Sequence, residues 1–281
     1  MRNLKSYTGD TFQFYKSVIA SKKESSSNFE LKKRLAAIDT SMRLSFIEFD
    51  DRFSKNELEE LLCCQLTTEQ KKDLENLYSY RSKLIQELKI TLTTSEFGRV
   101  MNTCQNCTIN EVNSFDHLLP KNDYSEFTVN PKNLFPSCAA CNTYKSKVWK
   151  KDGKRAFLNL YLDALPSEQY LFVDITNDGY DLDVSFLVEN RNNIDLSLFS
   201  ILKNHYEKLH LPERFKENCD NVISPLVSSL SVLKGKISLS DSIEVAKDTS
   251  LHNMRHFGNN YWKSILELAL LNNNDFLNRF R

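Results

Sequence analysis

Between residues 29 and 53 the apolar positions recur at mostly helical spacing, with Leu31, Leu35, Ile38, Met42 and Phe46 among them, and the spacing predicts a first helical region. The segment before it is polar and ends in Ser25, Ser26 and Ser27. Ser54 with Glu57 and Thr67 with Gln70 fit the capping box, in which a hydroxyl accepts from a backbone amide three residues on and the third side chain reaches back. Each predicts a further helix start. The helix opened by Thr67 is expected to carry Leu74, Leu77, Tyr78, Leu84, Ile85 and Leu88 on one face, away from Glu69, Lys72, Asp73 and Lys83.

From about residue 94 to Lys147 the helical period gives way to Cys, Asn, Pro and short apolar runs, the texture of a loop-rich module. Beyond it, residues 170–175 and 182–188 are predicted strands, the second alternating Leu182, Val184, Phe186 and Val188. Asn177, Asp178 and Gly179 supply turn chemistry between them, so a hairpin is expected. Helices are predicted at 194–209, 222–233 and 261–276, and no internal repeat is present.

Composition bounds this picture. The chain has 281 residues, 41% hydrophobic and 26% charged, which excludes a disordered or fibrous protein and leaves room for a sizeable core. The expected fold is α+β and mainly helical, in three segments: 1–95 helical, 96–155 loop-rich, and 156–281 with a hairpin followed by helices. Lysine plus arginine balances aspartate plus glutamate at 37 each, so no global field advertises a nucleic-acid partner. The balance hides local asymmetry. Residues 141–155 carry Lys145, Lys147, Lys150, Lys151, Lys154 and Arg155 against Asp152 alone, whereas residues 160–200 hold eight acids against Arg191 alone. Taken by itself, such a basic run reads as a solvated helix face. The first twenty residues lack the apolar stretch and cleavage site of a signal peptide, and no stretch is apolar enough to span a bilayer, so a soluble cytoplasmic protein is expected.

The chemistry concentrates in the loop-rich module. Four of the seven cysteines form two C-x2-C pairs, Cys104 with Cys107 and Cys138 with Cys141, 30 residues apart. Two such knuckles let four thiolates converge on Zn2+ at about 2.3 Å, a closed and therefore structural site. The alternative is four buried thiols without metal. Cys63, Cys64 and Cys219 lack such partners and are expected as small core residues.

Between the pairs stand Phe115, Asp116, His117, Leu118, Leu119 and Pro120, then Asn130, Pro131, Lys132 and Asn133, with Asn142 and Lys145 following the second pair. In this order the residues resemble the HNH endonuclease family, over about residues 97–150. The resemblance implies a zinc-stabilised ββα-metal finger. It implies His117 as the general base, Asp116 and Asn142 as oxygen ligands of a catalytic Mg2+ or Mn2+, and Asn133 as the residue that holds the base across the loop. Lys145 and Lys147, on the helix that follows, are expected to meet phosphates. Asn133 can also be read as a plain turn residue after Pro131.

More weakly, the layout resembles HNH subunits paired with an ATPase in Septu- and retron-type antiphage systems. That implies a defence role and an ATPase partner, and the chain itself has no G-x-x-x-x-G-K-[ST] loop for nucleotide hydrolysis. Three functions are therefore carried forward: an HNH nuclease cutting DNA, the same chemistry acting on RNA, and a zinc-stabilised nucleic-acid-binding or adaptor module without turnover. His252 and His256 stand four apart, as metal ligands on a helix do, but nothing in the sequence completes their motif; His205 with Tyr206 reads as packing.

Overall fold

The computed structural model describes residues 1–23, 29–95, 97–177 and 182–280; Ser25–Ser27 and the Asp178–Gly179 turn lie outside the described residues. Among the described residues, helices and three small two-stranded antiparallel sheets alternate along the chain, in two compact units. No helix among the described residues is long and apolar enough to cross a membrane.

One unit comprises Asn3–Asn106 and Asn110–Asp163, so the first two expected segments fall together. It opens with α1 (Thr11–Ser21), α2 (Leu31–Ala37) and α3 (Asp39–Ser54). Helix α1 lies in the stretch expected to be merely polar; Asp10 caps it by accepting from the Gln13 amide, and Tyr15 and Val18 are buried. The first predicted helical region is thus two helices. At Ser54 no capping box forms, because the residue ends α3 and its hydroxyl turns back to the Asp51 carbonyl. At Thr67 the box forms in full, and α4 (Thr68–Glu75) follows.

That helix does not run on as expected. It stops at Glu75, and α5 (Lys83–Thr93) begins only after a connection containing Asn76, Ser79 and Ser82, residues whose side chains compete for backbone bonds outside a helix. Helix α5 then lays Ile85, Leu88 and Leu92 against Phe115 and Leu134, with Tyr78 and Tyr80 of the connection packed on the same cluster. Those last two apolar residues belong to β1 (Ser114–His117) and β2 (Leu134–Ser137), paired antiparallel with Asp116 opposite Phe135 and His117 opposite Leu134. Helix α6 (Ala139–Lys145) follows at once, then the short hairpin β3 (Lys150–Lys151) and β4 (Lys154–Arg155). An aromatic core joins α3 to the loop between β1 and β2: the rings of Phe49 and Phe127 stand 4.7 Å apart, and Tyr15, Phe46 and Phe53 pack around them.

The other unit holds Ala164–Arg281 together with Met1–Arg2 and Cys107–Ile109. Strands β5 (Leu171–Asn177) and β6 (Leu182–Val188) form the expected hairpin. Helices α7 (Leu196–Lys208), α8 (Leu211–Glu217), α9 (Asp220–Leu233), α10 (Leu239–Phe257), α11 (Trp262–Leu270) and α12 (Asn274–Leu277) follow, so the last predicted helix is two and α10 had no counterpart. Trp262 stacks on Phe215 at 5.2 Å beside Phe186, which ties α8 and α11 to the hairpin.

Candidate functional site

Four sulfurs gather first. The ligand atoms of Cys104, Cys107, Cys138 and Cys141 all lie within 4.8 Å of one another, and all four residues are buried. A tetrahedral zinc with sulfurs at about 2.3 Å places them roughly 3.8 Å apart, so one ion fits among these side chains with small adjustment. Local backbone sets them up. The Cys104 amide donates to the Asn110 carbonyl, Thr108 takes a positive φ of 53° to turn the first knuckle, and the Ile109 amide donates to the Cys107 sulfur. In the second knuckle Cys138 is itself the N-cap of α6: its sulfur accepts from the Cys141 amide at 3.4 Å, and the Asn110 side chain points at it from 3.9 Å. Amides directed at sulfur favour the thiolate that a metal needs. Of the remaining cysteines only Cys219 is a buried core residue; Cys63 is exposed and Cys64 half-buried, against expectation, since both lie in the irregular stretch after α3.

Strand β1 ends on the Asp-His pair. Phe115 faces Pro136 in a non-hydrogen-bonded pair of the hairpin, so its backbone groups point away from β2. The Phe115 carbonyl, on the side away from β2, accepts from the Asn142 side-chain amide at 3.2 Å, which leaves the Asn142 Oδ1 as the atom available to a ligand. Asp116, Asn142 and His117 thereby line one cleft of about 470 Å³, with Tyr78, Tyr80 and Lys121 among its walls.

His117 is held on two sides. Its Nε2 lies 2.9 Å from the Thr128 carbonyl, which makes Nε2 the protonated nitrogen and Nδ1 the acceptor. Its ring meets Tyr78 edge to face at 4.9 Å. Part of the ring still reaches the cleft, yet the packing around it disfavours the imidazolium and pushes its pKa down to about 4, with the Thr128 bond opposing. The side chain is neutral at pH 7. Burial also raises the Asp116 carboxyl above its ordinary range, against the opposing pull of Lys145.

Asn133 lies behind the cleft, fully buried. Its amide donates to the carbonyls of Leu119 and Phe127 at 3.2 and 3.1 Å, and its oxygen accepts from the Leu119 amide at 2.7 Å. These bonds close the loop that presents Thr128 to His117, a larger part than a plain turn residue plays.

Lys145 is not at the surface, where a phosphate-binding role would put it. Three residues after Asn142 on α6, it shares the inward face, and its ammonium meets the Asp116 carboxylate at 2.9 Å and the His117 carbonyl at 2.7 Å. Both side chains are about 5% exposed. Lys147 is exposed and lines the cleft, but it follows the helix rather than standing on it, since Ser146 leaves α6 with a φ of 52°.

Sequence reasoning missed Tyr78, Tyr80 and Lys121. Tyr78 was assigned to a continuous helix face and Tyr80 to none; the break after Glu75 is what turns both to the Asp-His strand. In the other unit, the exposed His252 and His256 rings bring their Nε2 atoms to 3.2 Å, and among the described residues no third His, Cys, Asp or Glu joins them. His205 is buried beside Tyr206, as packing predicts.

No protein-family model matches the chain, and no solved structure matches it. It is similar to Protein ea31 of Escherichia phage lambda, 26% identical over 180 residues, a stretch covering 60% of this chain and 60% of that protein. The chain thus spans about 60% of the length of the curated relative it matches.

Proposed function

We propose that this protein is a metal-dependent HNH endonuclease that hydrolyses phosphodiester bonds, with DNA as its substrate. The observation that carries the reading is the convergence of Asp116, His117 and Asn142 on one cleft, by way of two antiparallel strands and a helix whose first turn is set in the four-cysteine cluster. In this reading the cysteines hold a structural zinc.

The remaining donors suit a hard divalent cation. Asp116 offers a carboxylate and Asn142 an amide oxygen, the ligand types that Mg2+ and Mn2+ prefer. The carboxylate has about four acceptor sites, so the bond to Lys145 does not exhaust it. Such a cation would supply charge stabilisation at the phosphate. Neutral His117, fixed through Nε2 on Thr128, presents Nδ1 to a water molecule. The water oxygen attacks phosphorus, its proton passes to Nδ1, and the P–O3′ bond breaks, leaving a 5′-phosphate and a 3′-hydroxyl protonated by solvent. Lys121 and Lys147 place positive charge at the cleft wall, where the substrate's phosphates lie.

A second reading draws on the Lys145–Asp116 pair. A buried ammonium on the carboxylate competes with any cation, which fits a zinc-stabilised binding or adaptor module without turnover. The deciding experiment incubates wild type and His117→Ala with plasmid, single-stranded DNA and RNA, each with Mg2+, Mn2+ or EDTA. Metal-dependent cutting by wild type, lost in the variant, is the expected result, and the substrate that is cut separates the DNA reading from the RNA one. Salt-sensitive binding with no cutting in any metal would favour the module. The wider proposal of antiphage defence with an ATPase partner rests on the sequence resemblance, and activity that appears only when such an ATPase is added would support it.

A further inference from the structure

The basic run divides into charges that anchor and charges that do not. Arg155 forks onto Asp163, with N···O distances of 2.8 and 2.9 Å, and Asp163 is buried. Lys150 sets its ammonium 4.3 Å from the centre of the Trp149 ring and donates to the Glu59 carbonyl. These two residues face each other at the base of the β3–β4 hairpin. At its tip, Lys151 stands directly opposite Lys154, and between them Asp152 and Gly153 both take positive φ, 52° and 77°, the sign pattern of a type I′ turn. Both tip lysines are exposed, and among the described residues no carboxylate forms an ion pair with them or with Lys147.

Like charges opposite one another across a strand pair are destabilising. Here the tight turn and the two anchors at the base keep them together instead of letting them swing apart. A fixed pair of cations with that local cost is a receptor for closely spaced anions. Only four residues separate the end of α6 from the hairpin, and one of them, Lys147, lines the cleft with His117 and Asn142.

We infer that Lys151 and Lys154 grip the phosphate backbone of the nucleic-acid strand whose scissile bond enters the cleft. The inference rests on the nuclease reading for its choice of polyanion. A contact of this kind carries no sequence information and acts through counterion release, so its signature is the salt dependence of binding.

The test measures duplex DNA binding by fluorescence anisotropy across a salt series, using full-length His117→Ala so that the probe is not cut. Lys151→Ala/Lys154→Ala in the same background should lower the slope of log affinity against log salt by about 2, with affinity down roughly tenfold at physiological salt. Lys151→Arg/Lys154→Arg should restore the slope, which separates lost charge from lost fold. An unchanged slope in the alanine variant, or no binding by the parent to DNA or RNA, overturns the inference. Plasmid cleavage with His117 intact judges the nuclease reading separately: cutting with an unchanged slope removes the hairpin's role alone, and a lost slope without any cutting keeps the hairpin and removes the nuclease.

Discussion

Asn133 shows what one buried amide does that no neighbour in size replaces. It gives two hydrogen bonds and takes one, closing the loop that carries Thr128. Asn133→Ala leaves the Leu119 carbonyl and amide unpaired in the interior, while the Phe127 carbonyl keeps the Asn130 amide, and should cost about 3 kcal/mol in urea denaturation. Asn133→Asp should cost at least as much, because a carboxylate cannot donate to the Leu119 and Phe127 carbonyls. A loss under about 1 kcal/mol in both would show that the loop closes without it. At this scale the grouping of the candidate residues was largely legible. The cysteine pairs, Asp116, His117 and Asn142 lie within a short span where spacing speaks directly. Lys145 was misread, although its place three residues after Asn142 already set the two on one helix face. Tyr78 was placed on the wrong element because the break signalled by Asn76, Ser79 and Ser82 was passed over for the apolar spacing.

Among the elements, α6 joins the sulfur cluster to the cleft. Cys104→Ser should lower bound zinc measured by atomic absorption, and it should loosen β1, β2 and α6 together, seen as faster amide exchange in those segments with α5 less affected. Unaltered zinc content would remove Cys104 from the ligand set. Elements with a large apolar stripe were readable, such as α7 and the β5–β6 hairpin. Helix α10 was not, because the buried residues it offers are Ser242 and Ser250. Its signal was the cap, Ser238 accepting from the Asp241 amide at 3.0 Å. Helix α1 was overlooked although it was legible, since Asp10 announces its start and Tyr15 and Val18 share its buried face.

On the scale of the molecule, Asp163 gathers residues far apart in sequence. Its carboxylate accepts from Arg155, Asn56 and the Asn159 amide, and its carbonyl accepts from Asn3. Asp163→Ala strands a mostly buried guanidinium and should cost about 3–5 kcal/mol in urea denaturation. A cost near zero would mean that solvent replaces the carboxylate. No periodicity announces a clamp of this kind, since its members share no element and its strength comes from burial.

The sulfur of Cys138 serves two structures at once, as one of the four clustered thiols and as the acceptor that caps α6. Asn142 stands one helical turn further on. Taking that sulfur away, as in Cys138→Ala, would therefore remove a member of the cluster and the cap of the helix that carries Asn142 in a single step.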